Sequence, residues 1–362
     1  MGVKRLIGFI VVVQSVLFLT HFFLYETWTF SSADGETSGP LWLKLVLGFL
    51  SVSFVLASVF AFRYTNPALR AFYRAAAVWM GLLSFLFLAA VSCWIIFAFA
   101  RVAGLAINFH RTVEWLFAVA IVAGLYGVFN ASWTRITRTT VRLANLPEAW
   151  RGRTAALISD LHLGHVRNGS FLRRMVAKIL QEEPDAIFIA GDFYDGTAID
   201  AGRAAEPLNR LTAPQGVYFV AGNHEQFGDD RGYLDAIGAA GVRVLSNEKV
   251  EVDGLQIVGI PYRDAVRGSE FASTLHGMGL DRDRASVLST QCPRPSRDRG
   301  SCRGFAAAFG AYPPGPVHTL ELDGAAHLPA VRLWLEPHWG DASVYFQRRG
   351  NLGTAAAAGV ES

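Results

Sequence analysis

Residues with metal-binding side chains follow three apolar segments in the middle of the chain. They are Asp160 and His162 after the segment 155–159, Asp192 and Asp195 after 186–190, and Asn223 and His224 after 217–221. Carboxylate, amide and imidazole groups without a thiolate suit Mn, Fe, Zn or Mg. A carboxylate can bridge two such cations, and paired cations activate water for attack on a phosphate ester. The residue types therefore predict a metal site with hydrolytic chemistry.

The intervening segments determine whether these groups can meet. The three apolar segments are continuous, which is typical of strands covered on both faces, and the stretches 171–180, 201–211 and 233–240 have helical spacing. Further strands are predicted over 242–245, 249–252, 255–260 and 285–288, which gives an α/β fold with parallel strands. Because loops at the carboxyl ends of parallel strands converge, the polar groups should share one crevice. A turn or a helix cap explains any one motif, but not three in succession.

The first third of the chain is predicted to be a transmembrane region. Four apolar segments, at about 6–25, 45–62, 76–100 and 115–131, approach the ~20 residues that a helix needs to cross a bilayer. The first lacks a small-residue cleavage site and should stay in the protein. The notable polar residues of the predicted transmembrane region are Gln14, His21 and Glu114, and the last two lie near segment ends. Without paired charges or broken helices, the region is interpreted as an anchor rather than a transporter.

Basic residues in the short connections predict the orientation in the membrane. They precede the first segment, lie between the second and third, and follow the fourth, whereas the connection after the first segment carries Asp34 and Glu36. Arg101 and Arg111 run against this pattern. Since Lys and Arg concentrate on the cytoplasmic side, both termini are expected there, in a multi-pass protein of the cell membrane with a cytoplasmic catalytic domain.

The overall charge excludes one class of partner. The formal net charge is +3, and no basic stripe interleaved with aromatic residues occurs, so no nucleic-acid partner is indicated. Three cysteines do not form a disulfide framework.

The chain resembles the calcineurin-like metallophosphoesterase superfamily, and within it the bacterial membrane-anchored branch. The matching blocks are Asp160-Leu161-His162, Gly191-Asp192-x-x-Asp195 and Gly222-Asn223-His224-Glu225. The resemblance implies an α/β/β/α sandwich with two divalent metal ions. It implies that Asp160 and His162 bind the first ion, Asp192 bridges, and Asn223 binds the second. His224 would face the substrate phosphate as general acid or charge stabiliser, oriented by Asp195.

The predicted organisation has four parts. Residues 1–133 form the transmembrane region, 134–149 a linker and first strand, 150–288 the metallophosphoesterase domain, and 289–362 an aberrant, disrupted C-terminal segment. The family's second half should supply a His-x-Pro turn and a Gly-His-x-His block, and neither is present. His276, His318, His327 and His338 lack the expected neighbours.

An out-of-frame translation would explain the missing histidines. A shift of one nucleotide beginning in Gln291 lets the codons of 291–296 encode Asn-Ala-Pro-Asp-Arg-Leu, and those of 310–317 encode Gly-His-Thr-His-Arg-Gly-Gln-Phe. The hypothesis assigns about 289–340 to the shifted frame, and 341–346 resembles native sequence again in the printed frame.

The expected function is hydrolysis of a phosphate ester or pyrophosphate bond at the membrane surface by metal-activated hydroxide. The substrate would be a phosphate-containing small molecule or a lipid-linked compound. The alternative is a catalytically impaired or non-catalytic membrane protein, a degraded paralogue or a sensor, because the C-terminal histidine ligands are missing.

Overall fold

A computed structural model of the chain describes residues 3–31, 39–138, 143, 145–227, 230–281 and 283–291, with the short strands 306–309, 331–332 and 344–346. The chain divides into two compact units, Met1–Trp133 and Thr134–Ser362. Of the histidines without family-like neighbours, His276 is exposed on a helix, and the other three lie outside the described residues.

Four helices make up the described part of the first unit. They are α1 (Val3–Ser31), α2 (Leu41–Ala61), α3 (Pro67–Val102) and α4 (Phe109–Ala131). All four are long and apolar enough to cross a membrane. All four are longer than the apolar segments that predict them, because helical hydrogen bonding continues beyond the apolar segments at the ends. The side chains of Asn66 and Asn108 cap α3 and α4 by accepting backbone N–H groups.

His21 lies in the interior of α1, and the expectation that it reaches a helix end is wrong because the helix continues to Ser31. Its imidazole is buried; Nε2 accepts a hydrogen bond from Trp79 Nε1 at 2.9 Å, and Nδ1 lies 2.7 Å from the Leu17 carbonyl oxygen. Gln14 Nε2 likewise donates to a backbone carbonyl of α2 at 3.0 Å. Pairing between helices removes the penalty of placing these polar groups in an apolar medium.

The second unit contains two β-sheets. The first has the strand order β1–β11–β2–β3–β4–β5, formed by Ile136–Arg138, Val344–Phe346, Ala155–Ile158, Ala186–Ala190, Val217–Val220 and Arg243–Val244. The second has the order β10–β9–β8–β7–β6, formed by Val331–Arg332, Ala306–Phe309, Ser286–Thr290, Leu255–Gly259 and Glu248–Val252. Strands β2, β3, β4 and β5 are parallel, so the ends of β2, β3 and β4 meet at one edge.

Five helices cover the outer faces of the two sheets. They are α5 (Gly169–Leu180), α6 (Ala201–Ala205), α7 (Asp230–Ala239), α8 (Tyr262–Ala265) and α9 (Gly268–Gly277). Met175 of α5 packs in one core with Ile187 of the first sheet. The other face of that sheet shares a core with the second sheet, through residues such as Phe188 and Ile257. Phe271 of α9 packs with Val258 of the second sheet. The layers are therefore helix, sheet, sheet, helix, as the resemblance implies.

Two local predictions differ from the structure. The stretch 201–211 is not one helix: α6 ends at Ala205, and a 3-10 turn follows over Glu206–Arg210. Pro207 lacks a backbone N–H and prevents continuation of the α-helix. The helix predicted over 171–180 begins earlier, as α5 at Gly169, because the side chain of Asn168 caps it there.

Candidate metal centre

The six predicted site residues lie in three loops at the ends of β2, β3 and β4. Asp160, His162 and Asp192 have positive φ angles of 54°, 46° and 51°. Such backbone conformations cost residues other than glycine about 1–3 kcal/mol each and are concentrated at functional sites. The loops are held together by main-chain hydrogen bonds, since His162 N–H donates to the Asp192 carbonyl oxygen at 2.9 Å.

Two glycines allow these loops to touch. A Cβ atom at Gly191, where φ is 75°, would lie 2.7 Å from Gly222 Cα. A Cβ atom at Gly222 would collide with the backbone nitrogen and carboxylate of Asp192. The Gly-Asp and Gly-Asn-His motifs therefore include their glycines because the ends of β3 and β4 approach each other so closely.

The side chains that follow the glycines converge. His162 Nε2 lies 3.8 Å from Asp160 Oδ1 and 3.9 Å from Asp192 Oδ2. His162, Asp192 and His224 each offer one ligand atom, and these atoms lie within 4.8 Å of one another. Two ligands of one cation, each ~2.1 Å from it, are separated by roughly 3–4 Å. The arrangement is thus close to the one that a bound cation requires.

The electrostatic environment also suits a cation. Burial raises the pKa of Asp160 and of Asp192, so both carboxylates gain from a nearby positive charge. Burial, together with the charges of His224 and Arg167, lowers the pKa of His162 to about 4. His162 is therefore neutral near pH 7, as an imidazole must be to bind a metal.

Asn223 contacts Asp192 and a residue that the sequence did not suggest. One atom of its side-chain amide lies 3.1 Å from Gln291 Oε1, and 3.1 and 3.3 Å from the two carboxylate oxygens of Asp192. All three neighbours are hydrogen-bond acceptors. In one orientation of the Asn223 amide, its NH₂ group donates hydrogen bonds to these oxygens. In the other, its oxygen and these oxygens would be ligands of the same cation. Gln291 lies beyond the recognised motifs, and the one sequence signal that could have pointed to it is its place just after the strand predicted over 285–288.

His224 is held from its backbone and its ring. Its N–H donates to Asp192 Oδ1 at 2.9 Å. Its Nδ1 lies 3.0 Å from the backbone carbonyl oxygen of Asp195, which can only accept, so Nδ1 carries a proton and donates it to this hydrogen bond. The Asp195 carboxylate instead accepts from the N–H and hydroxyl of Thr197, at 2.8 and 2.5 Å. Asp195 thus reaches His224 through its main chain.

Glu225 holds the loops after β3 and β4 together through hydrogen bonds to their backbone. It was not among the site residues predicted from the sequence. Its buried carboxylate accepts three backbone N–H groups, from Asp192 and Tyr194 at 3.0 Å and from Gly222 at 2.7 Å. The sequence signal was its place directly after Asn223 and His224 in the third motif. A single side chain thereby fixes the loops after β3 and β4 relative to each other.

The residues present fit a divalent metal site. The observation that carries this conclusion is the buried group of acceptor atoms around Asn223, which a cation would satisfy together. Asp160, His162, Asp192 and Asn223 supply oxygen and imidazole ligands without sulfur, a set that suits Mn, Fe, Zn or Mg.

Comparison with known proteins identifies a family and several relatives. Residues 154–282 match the family model of the calcineurin-like phosphoesterases. A transmembrane protein with metallophosphoesterase domain from Danio rerio is 32% identical over 147 residues, which is 40% of this chain and 33% of that protein. An uncharacterized metallophosphoesterase from Aquifex aeolicus is 30% identical over 150 residues, which is 41% of this chain and 57% of that protein.

A third relative has a defined activity in its name. The UDP-2,3-diacylglucosamine pyrophosphatase LpxG from Chlamydia trachomatis is 28% identical over 186 residues, which is 49% of this chain and 50% of that protein. The chain therefore matches a third to about three fifths of the length of these three relatives. Residues 154–282, which follow four apolar helices, match the calcineurin-like phosphoesterase family, so this chain contains a calcineurin-like metallophosphoesterase domain.

Proposed function

We propose that this chain hydrolyses a phosphate ester or a pyrophosphate bond at the membrane surface, with two divalent cations. Asp160 and His162 would bind the first, Asn223 the second, and Asp192 both. The observation that supports this best is the meeting of these four side chains where β2, β3 and β4 end. When bound, the cations would neutralise phosphate oxygens and lower the pKa of a water molecule, so that hydroxide is available near neutral pH.

His224 is proposed to protonate the leaving oxygen with the Nε2–H of its doubly protonated ring, which would leave the ring neutral with its proton on Nδ1. Its Nδ1–H is used by the Asp195 carbonyl, and this bond fixes the ring with Nε2 directed away from the backbone. The ring centroids of His162 and His224 lie 4.6 Å apart, which supports a proton donor next to the proposed cation site. An imidazole so positioned contributes by general acid catalysis. Asp195 acts as a positioning residue.

A lipid-linked nucleotide is proposed as the first natural substrate to test. One relative is named a UDP-2,3-diacylglucosamine pyrophosphatase, and four helices of this chain are apolar enough to cross a membrane. An anchored domain meets substrates that are confined to the same membrane. A multi-pass arrangement with the catalytic domain in the cytoplasm follows from the basic residues before α1 and after α4.

The proposal is tested on the full chain purified in detergent, stripped with a chelator and reloaded with Mn²⁺. We expect about two ions per chain and cleavage of p-nitrophenyl phosphate, bis(p-nitrophenyl) phosphate or a UDP-linked lipid. Asp192→Asn removes the bridging charge and should reduce both bound metal and turnover by more than about 100-fold. Asp235→Asn, the same change on an exposed residue of α7, is the matched control.

Two outcomes separate this function from the alternative. Turnover that survives Asp192→Asn would remove the metal site from the mechanism. A metal-loaded parent chain that cleaves none of the three substrates would be a non-catalytic metal-binding membrane protein. The missing histidine motifs favour this second candidate, because the printed sequence lacks metal ligands that the resemblance implies.

The coding DNA determines whether the ligand set is complete in the gene. If the frame is shifted, the codons of residues 310–313 must read Gly-His-Thr-His one nucleotide later. Codons that cannot encode these residues end the out-of-frame hypothesis, and restoring the frame should increase metal binding and turnover if it is correct.

A further inference from the structure

The end of β8 brings a residue of the second sheet into the metal site. Gln291 follows this strand directly and is only 7% exposed. Its Oε1 accepts a hydrogen bond from the Asn223 backbone N–H at 2.7 Å and lies 3.1 Å from the Asn223 side-chain amide. The predicted ligands all come from the first sheet, so Gln291 adds an oxygen from the opposite side.

Gln291 lies close to the main chain of Gly191 and Gly222. A Cβ atom at Gly222 would lie 2.6 Å from its Oε1, and one at Gly191 would lie 3.1 Å from its Cβ. The two sheets are joined beside it, because Tyr262 N–H donates to the Ala221 carbonyl oxygen at 3.0 Å. Gln291 therefore lies against the two loops that carry Asp192 and Asn223.

The side chain also interacts with the carboxylates of the site. The Gln291 amide favours the ionised forms of both Asp160 and Asp192. Its oxygen has two lone pairs, of which the Asn223 N–H uses one. The second faces the Asn223 side-chain amide and the Asp192 carboxylate, where either the amide NH₂ donates to it or a cation takes the place of that hydrogen bond.

We propose that Gln291 is a ligand, through its side-chain oxygen, of the cation held by Asp192 and Asn223. This inference rests on the metal site of the proposed function and extends it with a residue from the second sheet. A neutral amide oxygen is a hard ligand. The site should therefore prefer Mn²⁺ to Zn²⁺ more strongly than the same site with an imidazole at position 291.

The test measures Mn²⁺ binding to the full chain in detergent by electron paramagnetic resonance, without turnover. Gln291→Met keeps the length of the side chain and removes its oxygen. We expect it to weaken one of the bound Mn²⁺ ions by at least about 10-fold and to leave the other unchanged. Gln291→Glu should retain both ions, and Gln291→His should raise the affinity for Zn²⁺ relative to Mn²⁺.

Ser289→Ala is the matched control. Ser289 is buried on the same strand, and its hydroxyl has no hydrogen-bond partner in the described part of the chain. This variant should bind Mn²⁺ like the parent chain. If Gln291→Met, verified as folded by its thermal melting curve, also binds Mn²⁺ like the parent, Gln291 only supports Asn223 by a hydrogen bond, and the proposal is overturned.

The two proposals can fail separately. If Gln291→Met binds one Mn²⁺ ion fewer than the parent chain, and the parent chain hydrolyses no phosphate compound, Gln291 is a metal ligand and the proposed function is rejected. Unchanged Mn²⁺ binding in an active Gln291→Met variant rejects the ligand and leaves the proposed function in place.

Discussion

Gly191 and Gly222 precede predicted ligands at the ends of two neighbouring strands, and each leaves space that a Cβ atom would fill. At Gly222 that atom would meet the backbone nitrogen and the carboxylate of Asp192. The neighbour is main chain in a buried loop, so it cannot move aside without displacing a ligand.

Gly222→Ala should therefore lower both stability and metal affinity. We expect a loss of about 1–3 kcal/mol in the free energy of unfolding from overpacking. Thermal melting and Mn²⁺ titration of the full chain measure the two effects. Gly238→Ala is the control, because nothing lies within 4 Å of a Cβ atom there and alanine favours the helix by roughly 0.5–1 kcal/mol. Equal behaviour of the two variants would contradict the steric argument.

Glu225 links protonation to the same loops. Burial raises its pKa from 4.5 to about 7, with the negative charge of Asp192 contributing, while three backbone N–H groups oppose the shift. Because the folded-state pKa exceeds the unfolded-state value, this residue's contribution to stability is complete below pH 4.5 and is lost as the pH rises through about 7. Cations bound at Asp192 favour the charged form and act against this loss.

Glu225→Gln should remove that pH dependence from the metal-free chain. The stability of the parent relative to the variant should fall by up to about 3 kcal/mol between pH 4.5 and pH 7. Added Mn²⁺ should reduce the fall. Melting temperatures measured across this range provide the test, with exposed Glu206→Gln as a control that keeps the dependence of the parent. A parallel shift of Glu225→Gln at every pH would show that Glu225 does not titrate differently on folding.

At the scale of elements, the helix α5 shows how the sheet is held in place for the site. Its N-terminus is capped by Asn168, whose side chain accepts the N–H groups of Ser170 and Phe171. Four side chains at helical spacing are buried against the first sheet: Leu172, Met175, Val176 and Ile179. This face of α5 covers β2 and β3, whose carboxyl ends carry the site loops.

Met175→Ala should destabilise the second unit by about 2–5 kcal/mol, because it leaves a cavity in the core shared with Ile187. Arg174→Ala changes the adjacent exposed residue and should stay within roughly 0.5 kcal/mol of the parent. Denaturant unfolding followed by intrinsic fluorescence compares the two. A similar loss in both variants would mean that α5 contributes through its charges and not through its apolar face.

At the scale of the whole molecule, the four apolar helices carry the proposed orientation in the membrane. Helix α3 has 36 residues and is roughly 54 Å long at 1.5 Å per residue, well beyond a ~30 Å hydrocarbon core. Its N-terminal turns carry Arg70 and Arg74 and can extend into the aqueous phase. Both arginines support a cytoplasmic position for the connection between α2 and α3.

Reporter fusions test this orientation. Green fluorescent protein fused after residue 133 should fluoresce, and alkaline phosphatase fused after residue 36 or residue 105 should be active, because only those connections are expected outside the cytoplasm. Fusions after residue 65 are the control for the opposite side. Active alkaline phosphatase after residue 133 would place the catalytic domain outside the cytoplasm and would exclude cytoplasmic lipid-linked substrates.

Much of the candidate site could be predicted from the sequence because its information is local. Continuous apolar segments followed by Asp160, Asp192 and Asn223 show where strands end and which ligands stand there, and parallel strands leave those ends little choice but to meet. The alternation of strands and helices predicted the α/β fold for the same reason, whereas the four-layered sandwich was implied by the family resemblance. Pro207 was also readable as a helix breaker, although the helical spacing on both sides of it concealed its effect.

Only the tertiary structure revealed the contacts between residues that are far apart in the sequence. The sequence did not show that Gln291 lies beside Asn223, since 68 residues separate them and no motif surrounds Gln291. Nor did it show that Glu225 binds the backbone of both loops, or that Asp195 contacts His224 through a carbonyl oxygen. Ligand types are set by the residues themselves, but their distances and partners arise where two sheets pack, and packing is a property of the folded chain.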